Sequence, residues 1–123
     1  MTEPIQDAEH VTLSSQAFLL LCRLFDRCYD ELRQNESLHE LVETIAHILL
    51  AGVETLEKQE IKPKTITFPL TTPQAFLLRR LVVELLAHSP AQDEKTVAWW
   101  QECMRALTFS NKGAGGENGA SLA

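Results

Sequence analysis

Apolar residues recur at helical spacing in four stretches of the chain. In the first stretch they repeat every seven residues, at Val11, Phe18, Phe25 and Leu32, which is the pattern of one helix face. Prolines stand at the junctions between later stretches, where they do least harm to a helix. The pattern predicts four helices, over residues 15–33, 38–57, 73–88 and 91–108. We therefore expect an all-α, four-helix bundle-like fold in a single domain over residues 1–110.

A different pattern separates the second and third helices. Residues 65–71 alternate strictly between polar and apolar, with Ile66, Phe68 and Leu70 on one side. Alternation of period two indicates extended chain, and Pro69 restricts that segment to a sheet edge or to a strap outside any sheet. We expect a short extended linker between helices two and three.

The pentapeptide at residues 16–20, QAFLL, recurs identically at residues 74–78. Coincidence is one interpretation, because Ala, Phe and Leu are common in buried helices. The other is a duplicated αα-hairpin. Two such hairpins would pack about a pseudo-two-fold axis, with the extended segments at 11–13 and 66–70 side by side.

Local signals add detail at the helix ends. Ser37 to Glu40 and Ser89 to Gln92 have the spacing of capping boxes, which predicts helix starts at both places. Four of the five glycines lie between residues 113 and 119. The composition there predicts a disordered tail over residues 111–123.

Charge and cysteine usage narrow the classes of partner. The 123 residues carry a net charge of −6, which argues against direct binding to nucleic acid or to anionic membranes. The N-terminus has neither the basic nor the apolar part of a signal peptide, and no apolar run is long enough to cross a bilayer. Cys22, Cys28 and Cys103 have no C-x-x-C spacing and suit reduced core thiols. We expect a cytoplasmic protein.

The negative charge is concentrated between residues 36 and 60, where six glutamates face one lysine. Glu54 and Glu57 stand near the C-terminal end of the second helix, where a negative charge opposes the helix dipole. Solubility is one explanation. The other is an acidic docking face for a basic partner, formed by Glu40, Glu43, Glu54 and Glu57.

Catalytic and metal-binding patterns are weak. His39, Glu43 and His47 share one helix face, yet two helical turns, about 12 Å, separate the two histidines, which is too far for one zinc ion. No nucleophile elbow or phosphate-binding glycine loop occurs in the sequence. We expect no metal, no cofactor and no enzymatic activity.

The sharper signal is surplus apolar surface. In the third helix, Phe76, Val83 and Ala87 form a second apolar stripe opposite the core stripe, and Trp99 and Leu50 project away from their own core stripes. Either the linker and the N-terminal arm cover these groups, or a partner does. The sequence favours a non-enzymatic interaction or regulatory subunit that forms a homodimer through the third helix. The alternatives are an acidic inhibitor or mimic that blocks a basic, nucleic-acid-binding site through the second helix, and an enzyme with a pocket in the helical bundle.

Overall fold

The computed structural model describes residues 8–88 and 93–108. Within them the chain is mostly helical, with four α-helices, one 3₁₀ turn and two strands. In chain order these are β1 (Glu9–Ser14), α1 (Ser15–Arg33), a 3₁₀ turn (Glu36–Leu38), α2 (His39–Lys58), β2 (Thr65–Leu70), α3 (Thr72–His88) and α4 (Glu94–Leu107). The four expected helices are present, and a small sheet is added to them.

The two strands pair with each other in antiparallel orientation. Val11 lies opposite Phe68 near the middle of the ladder, and Glu9 lies opposite Leu70 at one end. Pro69 is accommodated because a two-stranded sheet has only edge strands. Alternate residues point inward and are buried: Val11, Leu13, Ile66, Phe68 and Leu70. The extended segments that precede α1 and α3 therefore form a two-stranded sheet that covers part of the core.

Phe18 lies at the centre of the core. Its side chain is fully buried, and its ring packs against Phe68 with the centroids 5.1 Å apart. On the other side the ring lies against Gly52 of α2, where a Cβ atom would overlap the ring. Gly52 therefore allows α1 and α2 to approach closely at this level.

The helix bounds agree closely with the expected ones, and the start of α2 differs in its capping. Ser37 does not cap α2, because Asn35 Oδ1 accepts hydrogen bonds from both the backbone N–H and the hydroxyl of Ser37. The chain then enters α2 through the 3₁₀ turn, and Leu38, the N-cap residue, has no capping side chain. The prediction of a capping box at Ser37 was wrong for this reason.

Two other expectations concern residues outside the described ranges. The Ser89–Gln92 box lies there. The start of α4 at residue 91 was wrong, because Asp93 is extended and its side chain accepts from Thr96 N, so that α4 begins at Glu94. The tail expected at residues 111–123 also lies outside the described residues.

Side-chain hydrogen bonds join the start of α1 to α4 and the start of α3 to α2. Glu102 of α4 accepts from Ser14 N at 2.6 Å and from Ser14 Oγ at 2.8 Å. At the other strand, Gln74 Oε1 accepts from Thr71 N, and Gln74 Nε2 donates to Thr44 Oγ1 of α2 at 3.0 Å. Correspondingly, β1 packs against α4 and β2 packs against α2.

Candidate interaction surfaces

The second apolar stripe of α3 faces away from the core. Phe76 is 61% exposed, Val83 is 41% exposed, and Ala87 is also exposed. The opposite side of the helix is buried through Ala75, Leu78 and Val82 and the residues beside them. The linker residues 66–70, which form most of β2, pack on the core and leave Phe76 and Val83 exposed. The interpretation that this linker covers the two side chains was therefore wrong.

Charged residues flank this stripe in a definite order. Arg79 and Arg80 lie in its N-terminal half and Glu84 in its C-terminal half, with Arg80 Nε 3.5 Å from Glu84 Oε2. Arg79 also lines a small cleft of about 190 Å³ beside Phe76, together with Leu107. Arg79 Nε is buried and has no hydrogen-bond partner among the described residues. The cleft therefore contains a donor without an acceptor next to an exposed aromatic ring.

A larger groove runs along the outside of the α1–α2 hairpin. Its volume is about 460 Å³, within the range of ligand-binding clefts. The lining is apolar except for Arg23, Asp26 and Tyr29 on α1, and comprises Leu19, Cys22, Arg23, Phe25, Asp26, Tyr29, Ala46, Leu49, Leu50 and Val53. We call it the α1–α2 groove.

A polar cluster joins α1 to α2 at one end of the groove. Tyr29 Oη donates to Glu43 Oε2 at 2.6 Å, Arg33 Nε lies 3.1 Å from the same oxygen, and His39 Nε2 lies 3.7 Å from it. The hydrogen bond from Tyr29 is the main cause that lowers the pKa of Glu43, and the same bond raises the pKa of Tyr29. The Arg33 guanidinium also lies over the Tyr29 ring, 5.4 Å from its centroid.

The cysteines are free thiols of differing depth. Cys103 is buried, whereas Cys22 and Cys28 are half-buried. Burial raises the pKa of both Cys22 and Cys103 to about 12. At neutral pH, Cys22 is therefore a protonated lining group of the α1–α2 groove, since the reactive species of cysteine is the thiolate.

The five predicted interface residues do not share one surface. Phe76, Val83 and Ala87 form the α3 stripe, whereas Leu50 lines the α1–α2 groove and is 57% exposed. Trp99 is half-buried and packs against the core beside the fully covered Trp100. The structure thus places Phe76, Val83 and Ala87 on one apolar surface and Leu50 on another, and Trp99 belongs to neither.

The four predicted acidic residues also differ in their surroundings. Glu40, Glu54 and Glu57 are exposed on α2, whereas the Glu43 carboxylate is engaged by Tyr29 and Arg33. Sequence reasoning missed Tyr29 as a partner of Glu43. Their contact joins two helices, and no spacing within one helix indicates it.

Comparison with protein-family models, curated proteins and solved structures finds no match to this chain. Among residues 8–88 and 93–108, no group of three or more His, Cys, Asp or Glu side chains is arranged to hold a metal ion. Across the same residues, no helix has both the length and the apolar character that a membrane span requires.

Proposed function

We propose that this chain is a small, non-enzymatic interaction or regulatory subunit that forms a homodimer through the α3 stripe. One observation carries the proposal. Phe76 and Val83 are seven residues apart on one line of α3, and both remain exposed beside a well-packed core. Exposed large apolar side chains in register on a helix are typical of a helix-to-helix contact.

The order of residues along α3 favours a second copy in antiparallel orientation. In that arrangement the large Phe76 lies opposite the small Ala87 of the second copy, and Arg80 lies within one residue of the position opposite Glu84 of the second copy. A parallel arrangement places Phe76 against Phe76 and Arg80 against Arg80. Opposite charges across an interface favour association and like charges oppose it. The antiparallel pair is also isologous, as a closed dimer requires.

The expected affinity is modest. Full burial of a Phe or Val side chain is worth about 1.5–3 kcal/mol, and two copies contribute two such side chains each. Association itself costs about 4–15 kcal/mol in lost translational and rotational freedom. The most favourable combination of these ranges leaves about 8 kcal/mol, so we expect a dissociation constant no lower than about micromolar.

Sedimentation equilibrium of the full chain across micromolar concentrations tests the proposal. Wild type is expected to change from monomer to dimer, and Phe76→Asp is expected to stay monomeric because it places a carboxylate at the centre of the contact. Ile61→Asp is the matched control, since Ile61 is 87% exposed and lies outside α3. A monomeric wild type at every concentration, or a dimer in Phe76→Asp, contradicts the proposal.

We also propose that the fold is a duplicated strand–helix–helix unit, with β1, α1 and α2 in one half and β2, α3 and α4 in the other. Three observations support it beyond the repeated pentapeptide. The two strands pair with each other near their centres, and each strand packs on the second helix of the other half. The ties from Ser14 to Glu102 and from Gln74 to Thr44 each join the start of one half's first helix to the second helix of the other half. Position 102 is also 58 residues after position 44, the offset of the pentapeptide. An experimental structure in which the halves superpose by a rotation near 180° supports duplication, and a clearly different rotation contradicts it.

The second candidate function is an acidic inhibitor or mimic that blocks a basic site through α2. The observation in its favour is that Glu40, Glu54 and Glu57 are exposed and make no ion pair with a described residue. Charge reversal at Glu40, Glu43 and Glu54 is then expected to abolish capture of the basic partner in a pull-down. Unchanged capture contradicts this candidate.

A further inference from the structure

The α1–α2 groove has the form of a helix-binding site. It lies between two antiparallel helices that the polar cluster of Tyr29, Glu43 and Arg33 holds together at one end. At the other end, the same two helices approach closely where the Phe18 ring lies against Gly52. Between these two fixed points, Cys22, Leu49 and their neighbours form an apolar lining. These two sets of contacts lie at the two ends of the groove.

Leu50 marks the edge of this groove. It lines the groove and is also 57% exposed, so its side chain lies partly outside the apolar channel and partly within reach of a bound molecule. A half-covered leucine beside an apolar channel can contact the apolar side chains by which an amphipathic helix is anchored in a groove.

Acidic side chains border the same edge. Glu54 is one turn after Leu50 and Glu57 is two turns after it, so all three lie on one side of α2. Neither carboxylate makes an ion pair with a described residue, and both stand in the half of α2 where negative charge opposes the helix dipole. Cationic side chains of a partner bound there would offset this unfavourable placement.

We propose that the α1–α2 groove binds an amphipathic α-helix of another protein, with its apolar stripe in the groove and Lys or Arg residues against Glu54 and Glu57. The groove extends along α1 from Leu19 to Tyr29. At 1.5 Å per residue this is about 15 Å, or about ten residues of a bound helix. The site shares no residue with the α3 stripe, so the proposal holds whether or not the chain dimerises. It differs from a purely electrostatic mimic because Leu50 carries part of the affinity.

The test is a fluorescence-anisotropy titration of the full chain against a labelled synthetic helix of about 14 residues. The probe has leucine at every third or fourth position and lysine on both flanks, and its comparison peptide has glutamate in place of each lysine. We expect micromolar binding of the lysine peptide, at least tenfold weaker binding of the glutamate peptide, and affinity that falls as salt concentration rises.

Variants locate the binding. Leu50→Ser is expected to lower the affinity for the lysine peptide at least fivefold. Ile61→Ser, which removes a more exposed apolar side chain elsewhere, is expected to leave that affinity unchanged. Glu54→Gln with Glu57→Gln is expected to weaken binding and flatten its salt dependence, and Glu36→Gln with Glu60→Gln is its control. Because every substituted residue is exposed, circular dichroism is expected to report native helix content throughout.

The outcomes separate this proposal from the others. Equal binding of the two peptides, or wild-type binding by Leu50→Ser, overturns it. Stronger binding of a labelled peptide with the sequence of residues 72–88 than of the lysine peptide also overturns it, because the occupant is then a second copy. Phe76→Asp is expected to bind the lysine peptide as wild type does, so failure of the dimer leaves the groove intact and failure of the groove leaves the dimer intact.

Discussion

Replacing Gly52 with alanine tests whether the close approach of α1 and α2 depends on the missing side chain. A Cβ at position 52 overlaps the tip of the Phe18 ring and lies 3.1 and 3.2 Å from two further ring carbons. The ring is fully buried and packs against Phe68, so it cannot move aside without disturbing the core. Overpacking of this kind costs about 1–3 kcal/mol.

The substitution also has a favourable component. Alanine is about 1 kcal/mol better than glycine in the middle of a helix, and Gly52 lies inside α2. The two effects together predict a net loss of about 1 kcal/mol in the free energy of unfolding. For a domain of this size, that loss lowers Tm by about 4 °C.

Urea denaturation followed by far-ultraviolet circular dichroism measures the effect, with an unchanged m-value expected. Ala51→Gly is the matched control, since Ala51 is exposed on the same turn and reports helix propensity alone. Phe18→Leu shortens the obstructing side chain, so we expect the double variant Phe18→Leu with Gly52→Ala to lose less stability than the two single losses combined. A Gly52→Ala protein that gains the stability lost by Ala51→Gly refutes the reasoning.

Three further predictions follow from the polar contacts and thiols. Tyr29→Phe is expected to destabilise the fold more at pH 7 than at pH 3. The hydrogen bond from Tyr29 lowers the pKa of Glu43, so the stability that this bond contributes is lost as pH falls through that pKa. Equal shifts of the urea midpoint at both pH values contradict this. Glu102→Gln is expected to cost about 1–2 kcal/mol, since its carboxylate accepts from both the N–H and the hydroxyl of Ser14; an unchanged urea midpoint rules it out. Burial raises the pKa of Cys22 to about 12, so its thiolate fraction at pH 8 is about 1000-fold lower in the native protein than in urea, and we expect its reaction with iodoacetamide to slow by about that factor. Peptide mass spectrometry of the alkylated chain reports the rates, and comparable rates contradict its burial.

The helices were predictable because their patterning is local. Heptad spacing of Phe18, Phe25 and Leu32 located α1 at residues 15–33, as the structure has it. Val11, which continues the same spacing, lies in β1, so its assignment to the helix face was wrong. The start of α2 was less predictable, since Asn35 and Ser37 both have side chains that cap helices. Which of them acts depends on the path of the chain between α1 and α2, and spacing alone does not specify that path.

The surfaces were predictable only in part. The stripe of Phe76, Val83 and Ala87 follows from helical spacing. One side of α3 faces the core, so an apolar stripe on the opposite side faces outward. The α1–α2 groove does not follow from helical spacing, since its shape depends on the distance between α1 and α2. That distance is set by Gly52 against Phe18 and by Tyr29 against Glu43, contacts between residues far apart in sequence.

The tie between Ser14 and Glu102 has a consequence for synthesis on the ribosome. The two residues are 88 positions apart, and within the described part of the chain β1 pairs only with β2, which begins at Thr65. While α1 and α2 emerge, β1 therefore has no strand to pair with and no α4 to pack against. Contacts of such high sequence separation slow folding and leave apolar surface exposed in the meantime. We therefore expect β1 to complete its packing only after α4 has been synthesised.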